Sequence, residues 1–500
     1  MGMLACATTA AAQTDARVRE LDSYAAQAVK DWRAPGLAIA VVKSGRVVFA
    51  KGYGVLELGK ATAVDTQTLF AIGSTTKAMT ATALAMLVDE GKVRFDDPVT
   101  KYLPSFQLSD PYVTREITVR DLLTHRAGLP NADFLWYGAD TPSDEILRRM
   151  RMVRPAYSLR SGFIYQNIMY AVAGQVVAAA SGMSWADFVR TRIFQPLGMR
   201  RTVASLAEAS RASNVAAPHD IIDDTVRVIA NAAVDPVASA GAVWSSVADM
   251  AKWTRFMLDS SRVDGKALVQ RRTFLELVRP QVMVPEPEFY PTAQLTRPHW
   301  QTYGLGWFQQ DYNGRKVDYH TGSIDGMVAI VGLLLDEGLG VYVLSNLDHA
   351  EVRHALMLKT FDLFTGAPAR DWSSELRKLY GDRQAQAIAA QRRNEQQRII
   401  GTKPSLALAQ YAGTYADSLY GTREVTFENG VLRLRYSSRS AATLEHWQYD
   451  TFRARWDNRW RGSQLATFTI GADGRPSRLD MGGASYRRVP ETQARAAGAP

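Results

Sequence analysis

Ser74 and Lys77 stand three residues apart in the run Phe70-Ala-Ile-Gly-Ser-Thr-Thr-Lys-Ala-Met-Thr80. A serine hydroxyl is a weak nucleophile until a base removes its proton. An amine one helical turn away on the same face can serve, provided desolvation and nearby positive charge favour its neutral form. A helix that begins at the serine also turns backbone N–H groups and its dipole toward a developing oxyanion. Alone, the spacing is a weak signal and reads first as an ordinary N-cap and an exposed lysine. Two further groups sit downstream, Tyr165-Gln-Asn167 and His320-Thr-Gly322. A phenol with its usual pKa near ~10 can take a proton at neutrality only if a cation stabilises the phenolate. Lys77 is such a cation, and the two would titrate as a coupled pair.

Other polar clusters read as structure. His125 lies in Thr124-His-Arg-Ala-Gly128, a helix-terminating turn, and Asp96-Asp97-Pro98 reads as a turn after the Ser74 helix. There is no His-Glu-x-x-His, no Gly-x-Ser-x-Gly elbow and no Walker or dinucleotide fingerprint, so neither metal nor cofactor is expected.

The elements that must position these groups follow from periodicity. A helix is predicted from Asp15 to Trp32, then strands Gly36–Val42 and Arg46–Lys51 joined by a Ser44-Gly45 turn. Helical periodicity dominates from Ser74 to about Asp259, and strand character returns at Tyr319–Leu335 and Gly340–Asn346. This order implies an α+β fold in which N-terminal strands pair with C-terminal ones around an inserted helical region. The proline-rich loop Arg279–Trp300, with Phe289, Tyr290 and Trp300, reads equally as a lid over a cleft and as a surface excursion. Phe134, Trp136, Tyr137, Tyr157 and Trp244 fit either a substrate pocket or core packing. Ser373–Arg398 reads as a connecting helix, after which short alternating segments with Asn429-Gly430 and Asp473-Gly474 turns predict a small all-β barrel. The expected division is a leader-like or disordered segment at 1–16, a main domain at 17–365, a linker at 366–404, a barrel at 405–489 and a tail at 490–500.

The 500 residues are 46% hydrophobic and 22% charged, which excludes disordered, collagen-like and coiled-coil chains. One cysteine, Cys6, excludes a disulfide framework. The net charge is +9, of which +8 falls between Gly366 and Pro500. No nucleic-acid motif accompanies that excess, so a solvated basic surface is expected rather than nucleic-acid binding. No apolar run reaches the ~18 residues of a transmembrane helix. Small apolar residues through Gln13 resemble the end of a secretory signal peptide, giving a periplasmic or secreted protein, otherwise a cytoplasmic one.

The three groups around Ser74, Tyr165 and His320 resemble the Ser-x-x-Lys, Tyr-x-Asn and Lys/His-Thr-Gly motifs of the serine β-lactamase and penicillin-binding-protein superfamily. Leu122-Leu-Thr-His-Arg-Ala-Gly-Leu129, Gln195-Pro-Leu-Gly-Met199, Gly241–Met250 and Tyr303-Gly-Leu-Gly-Trp307 resemble its esterase and β-lactamase-related branch. The region 405–489 resembles the lipocalin-like C-terminal domain of some members. The resemblance implies an antiparallel sheet flanked by helices with an all-α insertion, plus the C-terminal barrel. It implies an acyl-enzyme on Ser74, with Lys77 as base, alone or shared with Tyr165. Tyr165 would protonate the leaving group and activate the deacylating water. Asn167 would bond the substrate's acyl side or Lys77, and His320 would support the Tyr165 hydroxyl or a substrate carboxylate. Thr321, Gly322 and Ser323 would line the substrate strand, the oxyanion hole being the N–H groups of Ser74 and Ser323. Peptides with D- or unusual residues, or small esters, are the substrates so implied, with weak β-lactam hydrolysis and possible oligomerisation through the barrel. Two alternatives remain at this point: acyl transfer to an acceptor other than water, and a non-catalytic ligand-binding or sensor protein on the same fold.

Overall fold

The structure, a computed structural model, describes residues 3–490, with side chains from residue 16. The tail, bar its first residue, the first two residues of the leader-like segment and the Cys6 side chain lie outside the described residues. Contacts divide the chain into two units, one containing the segments up to Asn131 and Arg154–Asp382, the other Ala132–Val153 and the segment from Arg383 on.

The first unit is built on an eight-stranded antiparallel sheet: β1 (Gly36–Lys43), β2 (Arg46–Gly54), β3 (Val282–Met283), β4 (Gln301–Tyr303), β5 (Phe308–Tyr312), β6 (Arg315–Ile324), β7 (Met327–Leu334) and β8 (Leu339–Ser345). Its order is β2-β1-β8-β7-β6-β5-β4-β3. Ser44 (φ 49°) and Gly45 (φ 75°) make the tight β1–β2 turn, both left-handed as such hairpins require. The N-terminal hairpin pairs with the last strand, Leu37 opposite Ser345 through Lys43 opposite Leu339, as the order of elements predicts. The strand character expected over Tyr319–Leu335 is two strands, β6 and β7, reversed at Asp325-Gly326, where Gly326 has φ 79°. The expected helical block also contains a hairpin, His219–Ile222 with Thr225–Val228, turned by Asp223 and Asp224 at positive φ.

One face of the sheet, with Leu37, Ile39, Val341 and Val343, packs on α1 (Met3–Asp31) and on a C-terminal helix, Val352–Thr365, through Leu21, Ala25, Leu356 and Phe361. Between these in sequence lie α2 (Thr76–Asp89), α3 (Asn167–Ser181) and α4 (Val247–Leu258), so Val352–Thr365 is α5 and the helix after it, Trp372–Gln396, is α6. From Thr76 to Leu87 every residue of α2 is buried. Its Ala, Met and Leu content favours a helix, and being covered on all sides fits a segment running through the middle of a domain. It ends at Gly91 (φ 72°), whose N–H bonds Val88 O while Lys92 N–H bonds Leu87 O.

In the second unit, eight strands from β9 (Gly413–Asp417) to β16 (Ala484–Arg488) close into a barrel, Tyr415 pairing with Arg488. Leu432, Leu434, Phe452, Phe468, Leu479 and Tyr486 fill its core. The segment Ala132–Val153 belongs to this unit. Phe134 packs 4.5 Å from Tyr420, Asp140 accepts hydrogen bonds from the Ser438 N–H (2.5 Å) and Oγ (2.9 Å), and Arg461 lies over the Tyr137 ring. The aromatics Phe134–Tyr137 therefore pack in the barrel unit, and Trp244 is core in the first.

Candidate active site

Ser74 sits in the tight turn Gly73–Thr75 that leads into α2. Thr75 braces this turn, its Oγ1 bonding Ile72 O at 2.8 Å and lying 2.6 Å from the Tyr342 hydroxyl on β8. The turn and β6 approach each other through glycines. A Cβ on Gly322 would lie 1.9 Å from Ile72 O and 3.1 Å from Ser74 N; one on Gly73, itself at φ 53°, would lie 2.8 Å from Ser323 N. Backbone approach this close excludes any side chain at either position. Ser74 N thus lies beside Gly322, and Ser323 N beside Gly73.

Lys77 is fully buried, and its Nζ lies 3.0 Å from Ser74 Oγ, 2.6 Å from Asn167 Oδ1 and 3.0 Å from Ala240 O. The Ser74 contact is the short path a proton would follow between hydroxyl and amine. Nζ also lies 4.8 Å from the centre of the Tyr165 ring and 5.3 Å from that of Tyr170. Asn167 begins α3, so the Tyr165–Asn167 group enters the site from that helix's first turn.

His320, on β6, is fully buried. Its Nδ1 lies 2.6 Å from Thr321 O, a carbonyl that can only accept, so Nδ1 carries the proton. Nε2 then accepts from the Tyr303 hydroxyl at 3.0 Å. Burial, with the Lys77 charge second, lowers its pKa to about 3, so the ring is neutral at physiological pH. Both ring nitrogens are thus spent on protein groups, and the hydroxyl His320 engages is that of Tyr303 rather than that of Tyr165. Next to it, the Thr321 hydroxyl meets the Tyr290 hydroxyl from the proline-rich loop.

The sequence held no hint of Ala240 or Arg353, placed Tyr303 only within the family-like run Tyr303–Trp307 and with no role, and left His125 as a turn residue. His125 does end its helix, at φ 58°, but it is also fully buried with its ring 4.3 Å from that of Tyr165. Its Nδ1 accepts from the Gln166 N–H at 3.0 Å, tying the turn to the Tyr165–Asn167 group. Burial, then the charge of Lys77, pushes its pKa well below the ordinary imidazole value. The signal available in sequence was the Thr-His-x-x-Gly run itself. Asp96 and Asp97 are structural as read, Asp96 pairing with Arg120 and Asp97 with Lys101 and Tyr102.

Behind β6, the first turn of α5 and its N-cap Glu351 supply a buried charged group. Arg353 (3% exposed) sends Nη1 to Gly322 O at 2.6 Å, Ser323 Oγ at 2.9 Å and Ala329 O at 3.3 Å. Its Nη2 and Nε pair with Glu351 at 3.0 and 3.2 Å, and Glu351 also takes a 2.5 Å bond from His354 Nδ1. Burial alone would raise the Glu351 carboxyl, but Arg353 and His354 hold it well below the usual carboxylate range.

The family model described as Beta-lactamase matches residues 21–360, and a second, described as a domain of unknown function (DUF3471), matches residues 397–493. The Unguisins hydrolase ungD of Aspergillus violaceofuscus is 30% identical over 471 residues, covering 86% of this chain and 81% of its own. Protein flp of Staphylococcus aureus is 23% identical over 66% of this chain and 63% of its own. Among solved structures, the octameric penicillin-binding protein homologue from Pyrococcus abyssi superposes with a TM-score of 0.62 at 24% identity, covering 94% of this chain and 99% of that one. SurE superposes at 0.58 and 20% identity, over 96% and 100%. At these identities the two structures establish a shared fold.

Proposed function

Since the chain belongs to the β-lactamase family of hydrolases, we propose that it cleaves an amide or ester bond through an acyl-enzyme on Ser74. The observation that carries this reading is the buried Lys77 Nζ at 3.0 Å from Ser74 Oγ, itself oriented by Asn167 Oδ1 and Ala240 O. In its neutral form the amine takes the hydroxyl proton as Oγ attacks the carbonyl. Tyr165, whose ring borders the same ammonium, delivers a proton to the leaving group and then draws one from the deacylating water, while Lys77 returns its proton to Ser74 Oγ as the acyl bond breaks. The N–H groups of Ser74 and Ser323 receive the negative charge that develops on the carbonyl oxygen. His320 acts as a neutral acceptor that orients Tyr303, and leaves substrate carboxylates to other groups.

Peptides with D- or otherwise unusual residues, or small esters, are the substrate class we propose. The name of the fungal relative, a hydrolase of unguisins, supports the amide side of that choice. A panel of chromogenic esters, D-amino-acid peptides and β-lactams, followed by intact-mass spectrometry, tests the reading. We expect product release and an acyl adduct on the Ser74 peptide, both absent in Ser74→Ala. Equal turnover by wild type and Ser74→Ala, or no adduct from any member of the panel, would favour a binding protein instead.

A further inference from the structure

Gly322 C=O and Ser323 N–H are the two ends of one peptide unit, and no cis peptide occurs among the described residues. In a trans peptide these two bonds point in opposite directions. The oxygen end receives the Arg353 guanidinium at 2.6 Å. The nitrogen end lies against Gly73, next to the Ser74 turn. Resting on the acyl-serine reading above, we propose that Arg353 is a positioning residue for the oxyanion hole. It fixes the plane of the Gly322–Ser323 peptide and polarises it, so that the Ser323 N–H is a stronger donor toward the oxyanion.

The arrangement runs in a line: Glu351 carboxylate, Arg353 guanidinium, Gly322 carbonyl, Ser323 N–H. A charge-assisted bond to a carbonyl is roughly twice as strong as a neutral one, and bonds in series polarise one another. Here the charged half of the line sits in a buried environment, Glu351 and Arg353 being 4% and 3% exposed, where such effects are least screened, while Ser323 at the other end is exposed. Glu351 keeps the guanidinium from being an isolated buried charge, and His354 Nδ1 bonds the same Oε2 that Arg353 Nε meets. The same Nη1 ties Ser323 Oγ and spans to Ala329 O on β7, which fixes the end of β6 that β5 does not reach. An arginine placed only to join β6 and β7 would brace the strands without bearing on the reaction. The distinction is experimental.

Lysine at position 353 keeps a charge but cannot serve Gly322 O and Glu351 together. For Arg353→Lys we expect kcat on a chromogenic ester to fall about 10- to 100-fold, less than the ~10²–10³-fold for loss of a whole oxyanion donor, with KM within twofold. Affinity for a phenylboronic acid that forms a tetrahedral Ser74 adduct should fall by the same factor. In protein labelled with ¹⁵N-serine, the Ser323 amide proton should move upfield, with Ser74 little changed. Glu351→Gln, which leaves the arginine but loosens its aim, should move all three readouts the same way by less, and carries the test if Arg353→Lys does not fold. Unchanged kcat, a loss expressed in KM instead, or a Ser323 amide that does not move would overturn the proposal. A wild type without turnover or Ser74 labelling would instead sink the acyl-serine reading, while the amide shift still tests the polarisation.

Discussion

Arg353 in the catalytic unit and Arg423 in the barrel are almost equally hidden, at 3% and 5% exposure, yet they are held in opposite ways. Arg353 has a carboxylate on one side and three oxygens of β6 and β7 on the other. Arg423 lies between aromatic faces, 3.7 Å from the Tyr436 ring centre and 4.9 Å from that of Tyr486. Its Nη1 reaches Thr422 O, its Nε is buried without a partner, and among the described residues no carboxylate pairs with it. The first environment fixes a direction, because a fork of N–H donors has one good orientation toward its acceptors. Aromatic faces hold a cation without fixing a fine direction. Directional burial of charge therefore goes with the unit that carries Ser74 and Lys77.

The largest way to break this contrast is at Lys77, another buried, directionally held cation of the first unit. Lys77→Met keeps the volume and removes the amine, so kcat/KM should fall by about 10²–10⁴-fold, the usual worth of a positioned base. Arg423→Met in the barrel should leave kcat/KM within twofold. Steady-state kinetics on the same ester read both, and a Lys77→Met enzyme with near-wild-type rates would remove Lys77 from the chemistry.

Stability should separate the units next. Removing one partner of a buried pair strands the other charge, so Glu351→Ala should cost about 3–5 kcal/mol. Arg423 has no such partner to strand. Replacing it with Met gives up two ring contacts while removing a buried charge, and should change stability by no more than about 1 kcal/mol. Denaturant unfolding of the full chain measures both, and equal losses would mean that pairing is irrelevant to how these arginines are tolerated.

Much of this was legible in the chain and some could not be. Ser44-Gly45 and Asn429-Gly430 announce their turns because a two-residue turn with left-handed backbone admits few residues. Ser74 and Lys77 are legible because three residues on a helix are neighbours whatever surrounds them. Tyr303 under His320 and Arg353 behind Gly322 depend on which strands pair and which helix covers them, contacts separated by 17 and 31 positions. No local pattern encodes those. Phe134–Tyr137 show the same limit differently, since an aromatic run has one appearance whether it lines a pocket or packs on Tyr420.

Acid should discriminate the units as well. His125, His219, His320 and His354 all have pKa values lowered by burial, His320 to about 3. Each therefore binds a proton less readily when folded than when unfolded, where the imidazole pKa is ~6.5. The unfolded state thus binds more protons below ~6.5. The stability these residues contribute is complete above that pH and is lost as pH falls toward the folded values. Glu351, held low by Arg353 and His354, adds a further loss below the ordinary carboxylate range. His349, raised by its Asp348 bond, runs the other way, its contribution being present in acid and lost as pH rises. The barrel holds a single histidine, His446. Hydrogen–deuterium exchange at pH 7.5 and 5, corrected for intrinsic rates, should show protection falling in β1, β8 and α2 but not in the barrel strands; uniform loss would contradict the sign.

The smallest effect concerns glycines, which the two units use for different reasons. Gly322 is crowded by Ile72 O, whereas a Cβ on Gly430 would meet nothing within 4 Å. What Gly430 supplies is backbone freedom, at φ 82° beside Asn429 at φ 51°, in the hairpin between the second and third barrel strands. An alanine there pays only the left-handed strain, about 1–2 kcal/mol, partly offset by a less flexible unfolded chain. Gly430→Ala should therefore lower the unfolding free energy by about 1 kcal/mol with unchanged kcat and KM. A loss of several kcal/mol would mean that the turn is held by packing rather than by its dihedral angles, and would make the barrel's glycines resemble those around Ser74.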